Sequence, residues 1–151
     1  MFALVLAALL VAACGERGQA PSAAPAPASK DAARGLDPTS IARGETVYNA
    51  HCAECHGPRG AGLPGDWRKT GPDGKYPPPP LDDSAHAWHH PTEVLRRVIR
   101  KGSPPGMGNM PAWAGKLNER EIDDVVAYIK SLWSDEAYAR WQQIESQSTT
   151  H

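Results

Sequence analysis

The sequence predicts an all-α domain, three to five short helices gathered around one covalently attached group. Apolar residues recur at helical spacing over residues 38–50, 92–101 and 118–133. No segment alternates apolar and polar residues as a half-buried strand does. At positions 52–56 the chain reads Cys52-Ala53-Glu54-Cys55-His56, the pattern by which c-type haem is attached. One turn of chain brings both thiols beside the two vinyl groups of a single porphyrin, and the adjacent His56 is delivered beneath the iron. Its second ring nitrogen then needs a hydrogen-bond acceptor to fix the tautomer. A redox dithiol would want a βαβ context, and a closed zinc site would want a second ligand pair; the sequence offers neither.

The chain has 151 residues, with 16 Lys and Arg against 17 Asp and Glu. That bounds it to one modest domain with extensions and gives no basis for binding nucleic acid. Of three cysteines, Cys52 and Cys55 go to haem and Cys14 is left over. Residues 1–13, MFALVLAALLVAA, are too short to span a membrane and suit the apolar region of a signal peptide. The run Val11-Ala12-Ala13-Cys14 resembles a bacterial lipobox, whose cysteine is lipidated and becomes the mature N-terminus. No basic residue precedes the apolar run, which points to a start codon further upstream. An ordinary signal peptide is the alternative. Both readings take the chain out of the cytoplasm, where haem is joined to such motifs.

Residues 15–37 are rich in Ala, Pro, Gly and Ser and have no apolar period. They are expected to form a flexible tether, with a reach of roughly 60 Å if extended. The domain proper is expected over 38–134. Pro38 suits a first helical turn, and Ile41, Gly44 and Tyr48 share a face of a helix that runs into the haem motif. Mid-helix Gly44 costs about 1 kcal/mol against alanine, so the close crossing of a second helix is expected there. Residues 57–81 read as irregular chain ending in four prolines, Pro77 to Pro80. One of their carbonyls is a candidate acceptor for His56.

Residues 82–90 hold His86, His89 and His90. These residue types can bind copper or replace a haem ligand, but a solvated loop is the expectation. A short amphipathic helix follows over 92–101, with Thr92 as cap and Gly102 as stop. The next loop carries Met107 and Met110. A thioether sulfur is a soft ligand suited to haem iron, although a lone Met more often fills a core gap. Met110, followed by Pro-Ala-Trp, is the preferred ligand; Met107 lies between glycines and is expected to face solvent. Asn118 and Glu121 form a capping box before the stripe Ile122, Val125, Val126, Ile129, Leu132 and Trp133. Residues 135–151 are expected as a helical extension with a frayed end from Glu145. Trp133, Ala137, Trp141 and Ile144 fall at helical spacing there, with packing on the chain's own domain as the default.

The order helix, CAECH, proline-rich loop, helix, Met-Pro loop, helix resembles class I bacterial cytochrome c over residues 38–134. ARGETVYNAHCAECHG is similar to that family's first helix and haem site, and MPAWAGKLNEREIDDVVAYIKSLW to its sixth-ligand loop and last helix. The resemblance implies the cytochrome c fold, one haem c, and Met110 as distal ligand. It also implies Gly44 and Tyr48 crossing Val125 and Tyr128, Pro79 as acceptor for His56, and Trp113 beside the haem. The stretch 67–76 lengthens the family's usual loop.

The expected function is an exported one-electron carrier, monomeric and lipid-tethered through Cys14 to the periplasmic side of a bacterial membrane, or soluble in the periplasm. Its expected partners are a redox donor and a redox acceptor in membrane complexes. The alternatives are a haem subunit of an oxidase or reductase, and an enzyme or sensor with an open sixth site. No acid–base constellation around Met110 favours an enzyme.

Overall fold

The computed structural model describes residues 29–148. The expected signal peptide over 1–13, Cys14, residues 15–28 of the expected tether and residues 149–151 lie outside the described residues. Among the described residues there are six α-helices: α1 Lys30–Ala33, α2 Pro38–His51, α3 Ala53–His56, α4 Thr92–Lys101, α5 Glu119–Leu132 and α6 Asp135–Ser148. Single 3₁₀ turns occupy Pro58–Gly60 and Ala87–His89. Among the described residues the extended backbone makes only an isolated bridge between Ala114 and Leu117. The fold is all-α, as expected. Four helices exceed two turns, and α1 and α3 are single turns too short to carry a period.

The crossing of α2 and α5 organises the domain. Asp37 caps α2, its carboxylate accepting from the amides of Thr39 and Ser40 at 3.1 and 3.2 Å, and Pro38 stands at the first helical position. Gly44 is the contact point: a Cβ there would lie 1.9 Å from the Asp124 carbonyl oxygen and 2.9 Å from the Tyr128 Cβ. One turn on, Tyr48 is fully buried with its ring 5.1 Å from that of Tyr128. Arg43 closes the flank with a two-pronged bond to Asp124 at 2.6 and 2.8 Å. The expected capping box is present: Glu121 N–H donates to Asn118 Oδ1 at 3.0 Å, and Asn118 N–H to Glu121 Oε2 at 2.8 Å. Ile122, Val125, Val126 and Ile129 are buried as the stripe predicts.

Two expectations at the chain's ends are corrected. The tether was expected to reach Asp37, yet Lys30–Ala33 is a helical turn capped by Ser29. Lys30 Nζ and Arg34 Nη1 both donate to the Trp133 carbonyl, at 3.2 and 2.9 Å. Arg34 also pairs with Asp135 and lies 4.5 Å over the Tyr138 ring. The carbonyl that ends α5 therefore anchors the last residues before the domain. At the other end, fraying was expected from Glu145, but α6 runs to Ser148. Glu145 Oε2 accepts from the Thr92 amide at 2.7 Å, which ties α6 to the start of α4. That bond also explains why Thr92 is the first residue of α4 and not its cap, a position taken by Pro91. Trp133 and Trp141 are both buried, 6.0 Å apart, so the aromatic stripe packs on its own domain.

Candidate haem site

Helix α2 stops at Cys52, whose backbone leaves ideal helical geometry (φ −115°, ψ −34°), and the chain resumes as the single turn α3. The amides of Cys55 and His56 both return to the Cys52 carbonyl, at 3.1 and 2.9 Å. Cys52, Cys55 and His56 thus belong to one turn, in which residues three apart share a face. Both thiols are free. Burial, reinforced by neighbouring Cys55, pushes the Cys52 thiol up to about 11.

His56 is 8 % exposed, and its Nδ1 lies 2.8 Å from the Pro79 carbonyl oxygen. A carbonyl only accepts, so Nδ1 carries the proton and Nε2 keeps its lone pair. Burial lowers the proton affinity of the ring and keeps it neutral, partly opposed by the bond to Pro79. Of the four prolines, the acceptor is the one named from the resemblance. Loop 57–62 folds back to hold it there. Gly62 N–H donates to the His56 carbonyl at 2.8 Å, and the amides of Leu81 and Asp82 to the Gly60 carbonyl at 2.7 and 3.1 Å. Gly57 (φ +74°) has no alternative, since a Cβ would lie 2.1 Å from the Gly62 oxygen. Tyr48 reaches the same loop, its hydroxyl donating to the Gly57 carbonyl at 2.7 Å. Trp133 Nε1 fixes the exit by donating to Leu81 at 3.0 Å.

Met110 is half-buried against the core, whereas Met107 is exposed, as expected. Trp113 places its ring 5.2 Å from His51, the residue before Cys52, so the methionine loop meets the end of the attachment helix. Two partners of this loop had no signal in the sequence. Ser103 bonds both the amide and the carbonyl of Met110. Asn109 bonds Asp73 and Lys75 in the lengthened loop. Neither follows from a period or a motif. The three histidines do not converge: His86 stacks on Trp67 and meets His90 edge-on, while His89 sits against Trp88. Among the described residues no group of three or more His, Cys, Asp or Glu is placed to hold a metal ion.

The residues present fit a c-type haem. Two free thiols share a turn with a histidine whose Nδ1 is already committed, which leaves the Nε2 lone pair available to an iron. A thioether stands in the loop that packs beside that turn. Cys52, Ala53, Leu81, Leu95, Met110, Trp113 and Leu132 all border the core while only half-covered by protein, which is apolar surface a porphyrin can cover.

The family model described as "Cytochrome C oxidase, cbb3-type, subunit III" matches residues 39–129. The chain is 29% identical over 99 residues to the cbb3-type cytochrome c oxidase subunit CcoP of Azospirillum sp. (strain B510), covering 66% of this chain and 31% of the relative. It is 30% identical over 108 residues to the cytochrome bc1 complex cytochrome c subunit of Corynebacterium diphtheriae, covering 71% and 32%. Chloroplastic cytochrome c6 of Chlamydomonas reinhardtii is 32% identical over 99 residues, covering 65% and 58%. The match thus spans about a third of the two larger relatives. No solved structure matches the chain at a significant level. The chain belongs to the family described as cytochrome c oxidase, cbb3-type, subunit III: it is an all-α c-type cytochrome domain with covalently bound haem c, for which the spacing of Cys52 and Cys55 fits.

Proposed function

We propose that the chain is an exported one-electron carrier whose single haem, joined to Cys52 and Cys55, would be held through its iron by His56 and Met110. The observation that carries the reading is the 2.8 Å bond from His56 Nδ1 to the Pro79 carbonyl, which fixes the tautomer and aims the other nitrogen's lone pair away from the loop. Haem c, when bound, supplies reversible one-electron exchange at its iron. The chain's own residues do the rest. Pro79, held by loop 57–62, keeps the imidazole in one tautomer and one orientation. Met110 offers a soft thioether sulfur, which would hold the iron and favour its reduced state. Trp113, packed on His51, covers the flank between the two loops.

In this reading Cys14 carries a lipid, and residues 15–28 link it to the domain on the periplasmic side of the membrane. Among the described residues no helix is long and apolar enough to cross a membrane; the lipid reading rests on the run Val11-Ala12-Ala13-Cys14. Redox partners would meet the domain through a small, transient interface. The test is the optical spectrum and redox titration of the purified haem-loaded chain. A low-spin iron with a methionine-sulfur charge-transfer band is expected. Met110→Ala abolishes that band and lets carbon monoxide bind. A high-spin wild type, or a band that survives Met110→Ala, contradicts the reading. Cys14→Ser is expected to move the protein from the membrane fraction to the soluble one.

One observation favours a second reading, a haem subunit resident in a larger complex. Relatives named as subunits of an oxidase and of a bc1 complex are among the matches. Affinity purification from native membranes separates the two: recovery in fixed stoichiometry with a complex favours the subunit, and recovery alone favours the free carrier.

A further inference from the structure

The backbone of Met110 is gripped from two sides. On the inner side, Ser103 N–H donates to the Met110 carbonyl at 3.0 Å, and Ser103 Oγ accepts from the Met110 amide at 3.2 Å. Gly102 (φ +78°) makes the approach possible, because a Cβ there would lie 2.5 Å from the Met110 oxygen. On the outer side the grip comes from residues 71–76, within the stretch that lengthens the loop. Tyr76 N–H donates to the Met107 carbonyl at 3.0 Å. Asn109, the residue before Met110, uses both ends of its amide: Nδ2 donates to Asp73 Oδ2 at 2.8 Å, and Oδ1 accepts from Lys75 Nζ at 2.6 Å. The two partners are presented by a tight turn. Lys75 N–H donates to Asp73 Oδ1 at 3.1 Å, Gly71 N–H to the Lys75 carbonyl at 2.8 Å and Gly74 N–H to the Gly71 carbonyl at 3.0 Å.

These side chains are largely exposed, and exposed charge contacts add little to global stability. Their effect is on local opening. A loop that detaches without unfolding the domain must break every one of them first, so their full strength falls on that event. Ligand loss at an iron is such an event, since the sulfur can leave only if its loop moves.

We propose that Asp73, Lys75 and Asn109 are positioning residues for the distal ligand. The 71–76 turn is an outer brace that slows the opening of the Met110 loop and so keeps outside ligands off the iron. The inference rests on Met110 being the sixth ligand.

The experiment measures imidazole binding to the ferric, haem-loaded full chain, taking the limiting rate at high imidazole as the rate of loop opening. Asp73→Ala raises it about fivefold, the upper end for one exposed charge-assisted contact, and Asn109→Ala, which loses the bonds to both Asp73 and Lys75, raises it further. Asp73→Asn, which keeps an acceptor oxygen, raises it less. The double variant is no faster than Asn109→Ala alone, because that change already removes the bond to Asp73. Global stability falls by no more than the same contact is worth, because full unfolding breaks it as well. Limiting rates within twofold of wild type in both single variants overturn the brace, and so do fully additive effects in the double variant. If Asn109→Ala does not fold, Asp73→Ala and Lys75→Met carry the test from the other loop. Met110→Ala is the control that separates the two ideas. If it leaves spectrum and imidazole kinetics as in wild type, the ligation reading fails; if it alone changes them, ligation stands and the brace falls.

Discussion

Gly44 has no room for a methyl group. A Cβ 1.9 Å from the Asp124 carbonyl would overlap an atom that belongs to the backbone of α5, and neither helix can yield without giving up the Tyr48–Tyr128 contact one turn away. Overpacking of this kind costs about 3 kcal/mol, more than the roughly 1 kcal/mol a mid-helix glycine forfeits against alanine. Gly44→Ala is therefore expected to lower unfolding stability by about that amount, read as a drop in denaturant midpoint. A midpoint equal to or above wild type would show that the helices separate freely. This residue was legible from the sequence because a glycine inside an otherwise helical pattern asks for a reason. Pro79 was legible only through the family resemblance. Four consecutive prolines are equivalent by composition, and what selects one is the fold of loop 57–62, held by bonds between backbone groups that carry no side-chain signature.

Helices with a full apolar stripe were readable to their ends. Thr92–Lys101 has the bounds its periodicity gives, and the box of Asn118 and Glu121 marks the start of α5. The elements read less well are those whose limits depend on distant partners. Helix α1 exists because Lys30 and Arg34 find the Trp133 carbonyl, and α6 holds its last turns while Glu145 serves the Thr92 amide. Lys130 is the hidden member of that junction. It is 8 % exposed, donates to Thr92 Oγ1 at 2.7 Å and lies 3.9 Å over the Trp141 ring. Burial brings its ammonium down to about 8, although Glu145 and Asp123 pull the other way and Arg96 adds to the lowering. An unfolded lysine titrates near 10.4. Below about pH 8 both states hold the proton and the native state bears the full cost of the buried charge. Between about 8 and 10.4 the unfolded state binds the extra proton, so this group makes stability rise with pH, by about 3 kcal/mol across the window. Lys130→Met removes that slope. Unfolding free energies of wild type and variant at pH 7 and pH 10 provide the check, and parallel pH curves would falsify the assignment.

Across the whole molecule, the covered core lies mainly on α5 and α6, and a set of apolar residues packed against it is only half-covered. Val125, Val126, Ile129, Trp133, Tyr138 and Trp141 are buried by protein alone. Leu81, Leu95, Met110, Trp113 and Leu132 border that core and remain partly open. The open set comes from segments far apart in sequence: the proline run, α4, the methionine loop and the end of α5. Much of the chain that connects these segments has no regular structure. A covalently held porphyrin supplies apolar area that all of them can share, and with the proposed ligation by His56 and Met110 it would tie loops 57–81 and 103–116 to one centre. Anything bound only by the native state stabilises it, and a small domain has little stability in reserve. Without haem, the α2–α5 crossing and α6 have enough burial to persist, while loops 57–81 and 103–116 lose what orders them. The doubly substituted Cys52→Ser, Cys55→Ser chain, produced without haem, is thus expected to keep helical far-ultraviolet circular dichroism. It should lose the sharp near-ultraviolet signal and the single cooperative melt. Hydrogen exchange should then show slow amides confined to α2, α5 and α6. A haem-free chain that melts cooperatively near the temperature of the loaded protein would mean that the polypeptide completes its own core, and that the half-covered residues owe nothing to the prosthetic group.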